Sequence, residues 1–473
     1  MGKILESVLE EFKNLAAIPR PSKHEERVSN FLRDYLQSYG FEVVQDESKN
    51  IIAEIPASCG KENAPRTILQ AHMDMVCVAE KNYNYKPLED AIKLIRTDEF
   101  LTADGTSLGA DDGMGVAEIL YIAKNHESFS HGAIRIIFTT DEEQGMSGAN
   151  NLDAKYLDAD YFINCDSEIF EEIVAGSAGN IHVDFSRRID YTAPNFSNAY
   201  KIKFSGLHGG HSGIEIHKDY INAIKIAAKF LHALHIKEKF QLAKFNGGSA
   251  PNVIPSESEI ILVTDLPLEK ISAYADELQK IYIDAEPNFK IEIAAVEMPE
   301  KVFGAADCEN LIALILTVHS GVYSMNGTMP VTSANIGTIR TADNVVLEIL
   351  ARSNVTEKLN NFIDTFAQVA KLTNFEVKFG EPIPAWDFNP ESRLVKIMAE
   401  IFERQNNFAP KVHTCHAGLE CSSFTVKNPK LDIVSIGTTN ENIHSPQERL
   451  HLKTVEPHVN WIVATLEVIA DRI

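Results

Sequence analysis

The chain has 473 residues, of which 44% are hydrophobic, and a formal net charge of −23 at pH 7. This length and composition predict a large buried core divided among two or three domains. The acidic balance argues against a nucleic-acid-binding surface, because phosphates attract basic side chains. No stretch approaches the roughly 18 consecutive apolar residues of a membrane span, so we expect no membrane association.

Six cysteines are spread along the chain, at positions 59, 77, 165, 308, 415 and 421. So few cysteines in so long a chain form no disulfide framework, which is typical of a reducing compartment. Residues 1–6 lack the apolar run of a signal peptide. We therefore expect a cytoplasmic protein.

The first part of the chain alternates between helical and strand-like patterns. Helical spacing predicts one helix before Pro19, and Ser22 followed by Glu25 is the signature of a capping box that opens a second helix. Strand-like runs follow, separated by helical stretches such as 116–123; the runs are 51–55, 67–71, 134–138 and 161–165. This alternation predicts an α/β catalytic domain, with a mostly parallel sheet and helices on both faces.

The pattern changes near residue 187 and predicts an inserted α+β lid domain. Strands are expected at 199–204, 258–264 and 289–296, and helices at 220–235 and 268–281. Within the insertion, Ser249–Ile254 is similar to Ser333–Ile336, and each segment precedes an apolar strand, which predicts an internal duplication.

The pattern of the first domain then returns near residue 382. We expect a helix at 392–404, a strand at 431–436 and a C-terminal helix. The predicted division is therefore a catalytic domain formed by residues 1–187 and 382–473, with residues 188–381 as the lid.

Potential metal-binding side chains stand at or near the ends of short apolar runs. They are His72 with Asp74, the pair Asp111–Asp112, the pair Glu142–Glu143, Asp166 and His444. In α/β proteins, chemistry collects at the carboxyl ends of parallel strands. Two imidazoles and several carboxylates suit zinc, manganese or cobalt. The sequence therefore indicates a metallohydrolase.

Each of these groups also has a structural interpretation. His72 could be a half-buried histidine satisfied by Asp74, and the pair Asp111–Asp112 could cap a helix. The pair Glu142–Glu143 could be an acidic turn, or one carboxylate could bind metal while the other faces substrate. The residues alone do not decide which aspartate or glutamate would be the ligand.

Several motifs together resemble the dinuclear-zinc family of aminoacylases, carboxypeptidases and dipeptidases. They are HMDMV at 72–76, GADDGMG at 109–115, TTDEEQGMSG at 139–148 and NCDSE at 164–168. HAGLEC at 416–421 and the segment 443–446 most resemble the aminoacyl-histidine dipeptidase branch. Ser422 and Gln447 depart from the pattern, where Gly and an acidic residue are expected, and these departures bear on substrate preference.

The resemblance implies a site with two divalent metal ions, Zn²⁺ or alternatively Co²⁺ or Mn²⁺. It assigns one ion to His72, Asp111 and Asp166, and the other to His444, Asp111 and Glu143. Asp111 would bridge the two ions and form a cis peptide bond with Asp112. Asp74 would hold the His72 imidazole, and Glu142 would be the general base.

The resemblance also assigns groups of the predicted lid to the substrate. His211, in the glycine-rich segment 207–213, would stabilise the oxyanion of the reaction. Asn252 and Arg352 would hold the substrate's backbone and carboxylate, and His416 has no assigned role.

We therefore expect metal-dependent hydrolysis of dipeptides, and specifically of Xaa-His dipeptides such as β-alanyl-histidine, by a two-metal activated water with a glutamate base. Its partner would be a small peptide substrate, and the chain would be a monomer or a homodimer. The alternatives are an N-acyl amino-acid hydrolase, or another peptidase of the same family, and a catalytically silent metal-binding protein. The silent alternative is weakened because it would need neither Glu142 nor His211.

Overall fold

A computed structural model describes residues 2–471 of the chain, which divide into two compact units. Within these residues, unit 1 contains 2–176, 388–414 and 419–471, and unit 2 contains 177–387 and 415–418. The domain division at 187/188 and 381/382 that the sequence suggests stays a prediction.

The N-terminal part of unit 1 contains four helices and eight strands. The helices are α1 (Lys3–Ala16), α2 (Glu26–Ser38), α3 (Ala110–Lys124) and α4 (Ser147–Asn151). The strands are β1 (Glu42–Gln45), β2 (Ile51–Ile55), β3 (Thr67–His72), β4 (Leu94–Arg96), β5 (Phe100–Ala103), β6 (Ile134–Thr139), β7 (Tyr161–Asn164) and β8 (Glu172–Ser177).

Unit 2 contributes the next eleven strands and four helices of the described chain. The strands are β9 (Gly179–Arg188), β10 (Tyr191–Thr192), β11 (Asn198–Ser205), β12 (Gln241–Gly247), β13 (Ser258–Thr264), β14 (Lys290–Ala295), β15 (Val302–Phe303), β16 (Gly321–Asn326), β17 (Met329–Thr341), β18 (Asn344–Ser353) and β19 (Glu376–Phe379). The helices are α5 (Ala223–Lys237), α6 (Leu268–Tyr282), α7 (Ala305–Thr317) and α8 (Thr356–Leu372).

The returning part of unit 1 adds four short strands and three helices. The strands are β20 (Lys411–Cys415), β21 (Asp432–Ser435), β22 (Asn440–Glu441) and β23 (Arg449–His451). The helices are α9 (Arg393–Asn406), α10 (Cys421–Lys427) and α11 (Leu452–Asp471).

The main sheet of unit 1 has eight strands in the order β1-β2-β6-β3-β7-β21-β8-β20. Its four neighbouring strands β6, β3, β7 and β21 are parallel, whereas β1, β2 and β8 pair in the antiparallel direction. The prediction of a mostly parallel α/β sheet is confirmed.

Helices cover both faces of this sheet, as predicted. On β7, Ile163 packs into the large core formed with α1, α3, α9 and α11. The adjacent Phe162 points to the opposite face and contacts Phe424 of α10, with ring centroids 4.9 Å apart. Consecutive residues of a strand point to opposite faces, so the buried state of both side chains requires cover on both sides.

The capping box predicted at Ser22 is wrong. The helix begins at Glu26, and neither side chain caps it. The Ser22 hydroxyl donates to Asp74, and Glu25 accepts from the backbone N–H groups of Lys23 and Asp141. The side chains that the local pattern assigned to the helix end therefore form hydrogen bonds with Asp74 and Asp141, which are distant in the sequence.

Unit 2 is an α+β unit built on an antiparallel sheet. Eight strands follow the order β14-β11-β13-β12-β17-β18-β9-β19, and β16 pairs with β17 as the ninth strand. The core of the unit packs apolar residues of these strands against α5, α7 and α8. Among residues 2–471, none of the helices combines the length and the apolar character needed to cross a membrane.

The two similar segments of unit 2 have different local structures. Ser333–Ile336 lies within β17, whereas residues 249–254 form a loop between β12 and β13. The internal duplication therefore stays a prediction, supported by the sequence similarity alone.

Candidate metal centre

Three neighbouring parallel strands of unit 1 end at one edge of the sheet, and each carries or precedes candidate ligands. His72 is the last residue of β3, Asp141 lies two residues past the end of β6 and Asp166 lies two residues past the end of β7. Asp141 has a φ of +58°, and this left-handed turn directs the chain from β6 into Glu142 and Glu143. The carboxyl edge of the sheet therefore gathers these groups, as predicted.

The imidazole of His72 is buried among three carboxylates. Its Nε2 lies 3.1 Å from Oδ1 of Asp111 and 3.3 Å from Oδ1 of Asp166. Its Nδ1 lies 3.5 Å from Oδ1 of Asp74. One ring nitrogen therefore faces two carboxylates, and the other faces the acid that could orient the ring.

The second imidazole comes from the returning part of the chain. His444 follows β22, and its φ of +59° is left-handed. Its Nε2 lies 3.1 Å from Oδ2 of Asp111 and 2.8 Å from the carboxylate of Glu143. The two oxygens of Asp111 thus face two different histidines, the arrangement of a carboxylate that can bridge two cations.

The structure separates the roles available to Asp111 and Asp112. The peptide bond between them is cis, as the family resemblance implies. Asp112 is buried and accepts a hydrogen bond from the backbone N–H of His72. Its ligand atoms also lie within 4.8 Å of those of His72 and Asp166, but Asp111 alone contacts both imidazoles.

The adjacent Glu142 and Glu143 also differ in their surroundings. Glu143 contacts the imidazole of His444. Both glutamates and His72 place ligand atoms within 4.8 Å of one another, although among residues 2–471 Glu142 forms no hydrogen bond or ion pair with either imidazole. This arrangement leaves Glu142 near the cluster and outside its histidine contacts.

The buried carboxylates oppose one another's ionisation. Burial together with the neighbouring Asp111 raises the pKa of Glu143 to about 7, and burial raises the pKa of Asp166 to about 6. Burial and the charge of Asp166 raise the pKa of Glu142 well above its usual value. Burial alone would lower the pKa of His72, but the charges of the surrounding aspartates raise it well above its usual value.

These residues fit divalent cations. Two ligand atoms bound at about 2.0–2.1 Å to a tetrahedral Zn²⁺ lie roughly 3.3 Å apart. The contacts of His72 and His444 with their carboxylates, between 2.8 and 3.3 Å, are near this separation. The donor set, nitrogen and oxygen without sulfur, is that of zinc, manganese or cobalt.

A buried arginine, which the sequence analysis missed, supports the loops of the centre. The guanidinium of Arg20 donates to the carbonyl oxygens of Met73, Asp74 and Gly109. Gly109 has a φ of +71°, and a Cβ there would lie 2.7 Å from Arg20 Nη2. The glycine therefore permits both the turn and the close approach of the guanidinium.

Asp74 holds the loop after β6. It accepts hydrogen bonds from the Ser22 hydroxyl at 2.7 Å and from the backbone N–H groups of Glu142 at 3.1 Å and Glu143 at 3.4 Å. The same carboxylate thus faces His72 and fixes the backbone of both glutamates. This contact pattern favours the predicted positioning role.

Glu448 supports Asp111 from the returning segment, and the sequence analysis missed this residue too. Its carboxylate accepts from four consecutive backbone N–H groups, those of residues 108–111, at 2.7 to 3.4 Å. These groups lie at the start of α3, where N–H groups have no partner within the helix. Glu448 therefore connects the His444 segment to the backbone of Asp111.

The HAGLEC motif contributes a buried acid beside the centre. Glu420 accepts hydrogen bonds from Gln70 Nε2 at 2.8 Å and Thr139 Oγ1 at 2.7 Å. Burial raises the pKa of Glu420 to about 8. Glu420 therefore connects the ends of β3 and β6 behind His72.

Unit 2 contains the remaining predicted residues. His211 forms a bridge with Val253, and its Nδ1 accepts from the backbone N–H groups of Gly213 and Ile214 at 3.3 and 3.2 Å. An Nδ1 that accepts leaves the proton of the neutral ring on Nε2, which is then a donor. Asn252 is exposed, and its carbonyl accepts from Ser212.

Arg352 is a buried cation of unit 2. Its residue is 5% exposed, its Nε has no hydrogen-bond partner, and none of the ion pairs among residues 2–471 involves it. Burial lowers its pKa to about 10. The buried His416, whose pKa burial and the Arg352 charge lower to about 3, contacts the Ser333 hydroxyl at 2.8 Å and the Asn354 side chain at 2.7 Å.

The chain is similar to known proteins along almost its whole length. A sequence model of Peptidase family M20/M25/M40 matches residues 68–468. The cytosol non-specific dipeptidase of Escherichia coli (strain K12) is 32% identical over 465 residues, which cover 96% of this chain and 95% of that protein.

Solved structures share the fold. The aminoacylhistidine dipeptidase of Vibrio alginolyticus is 31% identical with a TM-score of 0.84, covering 98% of this chain and 96% of that chain. An aminopeptidase of Bacillus cereus, 18% identical with a TM-score of 0.58, covers 99% of both chains and has the same fold.

We expect Glu448→Ala to destabilise the protein strongly. The substitution removes the acceptor of several buried N–H groups, and each buried donor left without a partner costs about 1–3 kcal/mol. The free energy of unfolding, measured by chemical denaturation, should fall by roughly 3 kcal/mol or more. Glu441→Ala, which removes a solvent-exposed carboxylate paired with Arg449 and His451, is the matched control and should change stability little. Equal stabilities of the two variants would contradict the supporting role.

Proposed function

Because this chain belongs to peptidase family M20/M25/M40, as its motifs predict, we propose that it is a metal-dependent dipeptidase. The observation that carries the proposal is the position of Asp111, whose two oxygens each lie 3.1 Å from a different imidazole. This geometry supports a site in which two cations share the carboxylate of Asp111.

In this proposal His72, Asp111 and Asp166 hold one divalent ion, and His444, Asp111 and Glu143 hold the other. When bound, such ions supply Lewis acidity, which polarises a carbonyl group and lowers the pKa of water. Zn²⁺ is the proposed ion, with Co²⁺ or Mn²⁺ as alternatives. Asp74 orients the His72 ring through Nδ1 and fixes the backbone of Glu142 and Glu143.

Glu142 is proposed as the general base. Its backbone is held by Asp74, and its side chain lies beside the ligand cluster without a contact to either imidazole. A carboxylate in this position accepts the proton of the attacking water and then donates it to the leaving nitrogen of the peptide bond. Glu143, in contact with His444, is left as the ligand.

His211 is proposed as the donor to the oxyanion. The backbone of its own loop fixes the neutral tautomer with the proton on Nε2. A neutral donor of fixed direction is suited to a charge that develops only in the transition state.

Arg352 is proposed to bind the carboxylate at the C-terminus of the substrate. A guanidinium that is buried and lacks an acidic partner is costly, and a bound carboxylate would compensate it through paired hydrogen bonds. Asn252, which is exposed, is proposed to bind the substrate backbone.

The substrate class rests on this carboxylate site and on the relatives. The names of two relatives specify dipeptides, and one of them specifies an aminoacyl-histidine. We propose that this chain hydrolyses dipeptides, with Xaa-His dipeptides such as β-alanyl-histidine preferred. We also propose a cytosolic location, on the name of the Escherichia coli relative and the six free cysteines of the described residues.

The metal assignment predicts different defects for two neighbouring acids. Asp111→Ala should lower the content of both ions, because Asp111 is the proposed ligand that the two ions share. Glu142→Gln should keep near-full metal content and lose most of its turnover, since only the proton carrier is removed. Elemental analysis and hydrolysis rates measure the two effects. Unchanged metal content in Asp111→Ala would exclude the bridging role.

His211→Ala should lower turnover by roughly 10²–10³-fold, the typical loss for one oxyanion donor. Metal content and the free energy of unfolding should stay near those of the wild type, and KM should change modestly. His232→Ala, at an exposed position of α5, is the matched control and should leave turnover unchanged. Normal turnover in His211→Ala would contradict the oxyanion role and indicate that this histidine is structural.

A substrate panel tests the proposed function itself. β-Alanyl-histidine and other Xaa-His dipeptides should have a higher kcat/KM than tripeptides or N-acetyl amino acids. If N-acetyl amino acids are preferred, the chain is an N-acyl amino-acid hydrolase. If no substrate is cleaved by protein with full metal content, the silent alternative holds.

The same panel isolates Arg352 when it includes β-alanyl-histidinamide, which has no terminal carboxylate. The wild type should prefer the acid to the amide, because truncation of a buried charge pair costs about 2 kcal/mol or more. Arg352→Gln should remove most of that preference, because its kcat/KM should fall for the acid and change little for the amide. A variant that loses both activities equally would show a structural role for Arg352.

A further inference from the structure

A second group of potential metal ligands lies on the sheet of unit 2. His182 and Asp184 are two residues apart on β9, and Glu348 of β18 lies directly opposite Asp184. Residues two apart in a strand and residues directly opposite in an antiparallel pair share one face of a sheet. The alternate residues Ile181 and Val183 are fully buried in the core. The three polar side chains therefore share the face opposite this core.

The donor atoms of the three side chains converge. Nε2 of His182 lies 2.9 Å from Oδ1 of Asp184 and 3.6 Å from Oε1 of Glu348. One ligand atom from each side chain lies within 4.8 Å of the other two. Although the side chains are between 31% and 42% exposed, the Nε2 and Oδ1 atoms themselves are inaccessible to solvent.

These two atoms are close without forming a hydrogen bond. Neither His182 Nε2 nor Asp184 Oδ1 has a hydrogen-bond partner, despite the 2.9 Å between them. The oxygen therefore lies away from the direction in which the ring N–H would donate. Two ligands bound at about 2.0–2.1 Å to one metal ion, at angles between 90° and tetrahedral, lie roughly 2.9–3.4 Å apart without pointing at each other.

The carboxylate of Glu348 is oriented by a third strand. Thr338 of β17 lies opposite Glu348, is 2% exposed, and its hydroxyl donates to Oε2 of Glu348. This bond occupies one oxygen and leaves Oε1 on the side of His182. Carboxylates that bind metal are commonly held by such a hydrogen bond to the other oxygen.

The charges of this face favour a cation. Asp184 and Glu348 are like charges directly opposite each other, a destabilising pair in an antiparallel sheet. Lys378 of β19, which lies opposite Asp184 on the other side, supplies one positive charge. One imidazole and two carboxylates provide a mixed nitrogen and oxygen donor set that suits Zn²⁺.

We propose that His182, Asp184 and Glu348 form a divalent-metal site of unit 2 that joins β9 to β18. None of its ligands belongs to the candidate metal centre of unit 1. Water would complete the coordination, as it does at zinc sites with three protein ligands.

The test is the number of Zn²⁺ ions bound per chain during titration of the full-length holoprotein. The wild type should bind one more ion than His182→Ala, and Glu348→Gln should bind this ion at least tenfold more weakly. His235→Ala is the matched control, because His235 is also exposed but lies near a single acid, Glu309, at 3.7 Å. It should bind as many ions as the wild type. Equal stoichiometry in the wild type and His182→Ala overturns the proposal.

Lys378→Ala provides a second test, in which the affinity for Zn²⁺ should increase. Removal of a neighbouring positive charge should tighten Zn²⁺ binding at the unit 2 site severalfold, and an unchanged affinity would count against the site. Hydrolysis of β-alanyl-histidine should be equal in the wild type and His182→Ala. The difference in Zn²⁺ between these two proteins is independent of whether either is active, so the proposed function and this site can fail separately.

Discussion

Repulsion among buried carboxylates is the main constraint on the candidate metal centre of unit 1. Asp111, Glu143 and Asp166 are gathered around two imidazoles, and burial and mutual charge raise the pKa of Glu143 and Asp166. A protein can keep such groups ionised only with compensating positive charge. Divalent cations held between these atoms would supply that charge. The fold therefore stores an unfavourable arrangement that metal binding would relieve.

Such a cluster persists because the backbone around it is held independently. Arg20 collects carbonyl groups from two loops, while Glu448 collects the N–H groups before α3. Arg20 binds carbonyl oxygens and Glu448 binds N–H groups, so the two residues provide partners for both kinds of backbone group in these loops. The contacts of Glu448 also join residues more than 300 positions apart, since Glu448 binds residues 108–111. The position of Asp111 consequently depends on the whole of unit 1.

Features that depend on local sequence patterns, such as strands and the polar residues that follow them, could be predicted from the sequence. Continuous apolar runs located β2 and β6, and the polar residues that follow such runs located His72 and Asp166. Arg20 and Glu448 were missed because their partners are distant backbone groups, which leave no local pattern. The capping box at Ser22 failed for a related reason, since the Ser22 side chain binds the distant Asp74 and the helix begins only at Glu26. His416 could not be assigned, because strands of unit 2 provide its contacts.

Each unit contains buried charge that its own residues do not balance, and the sign differs between them. Unit 1 has excess carboxylate around His72 and His444, whereas the buried guanidinium of Arg352 in unit 2 has no acidic partner among residues 2–471. Unbalanced buried charge costs folding free energy unless a ligand compensates it. The first imbalance selects cations, and the second selects a small anion such as a carboxylate.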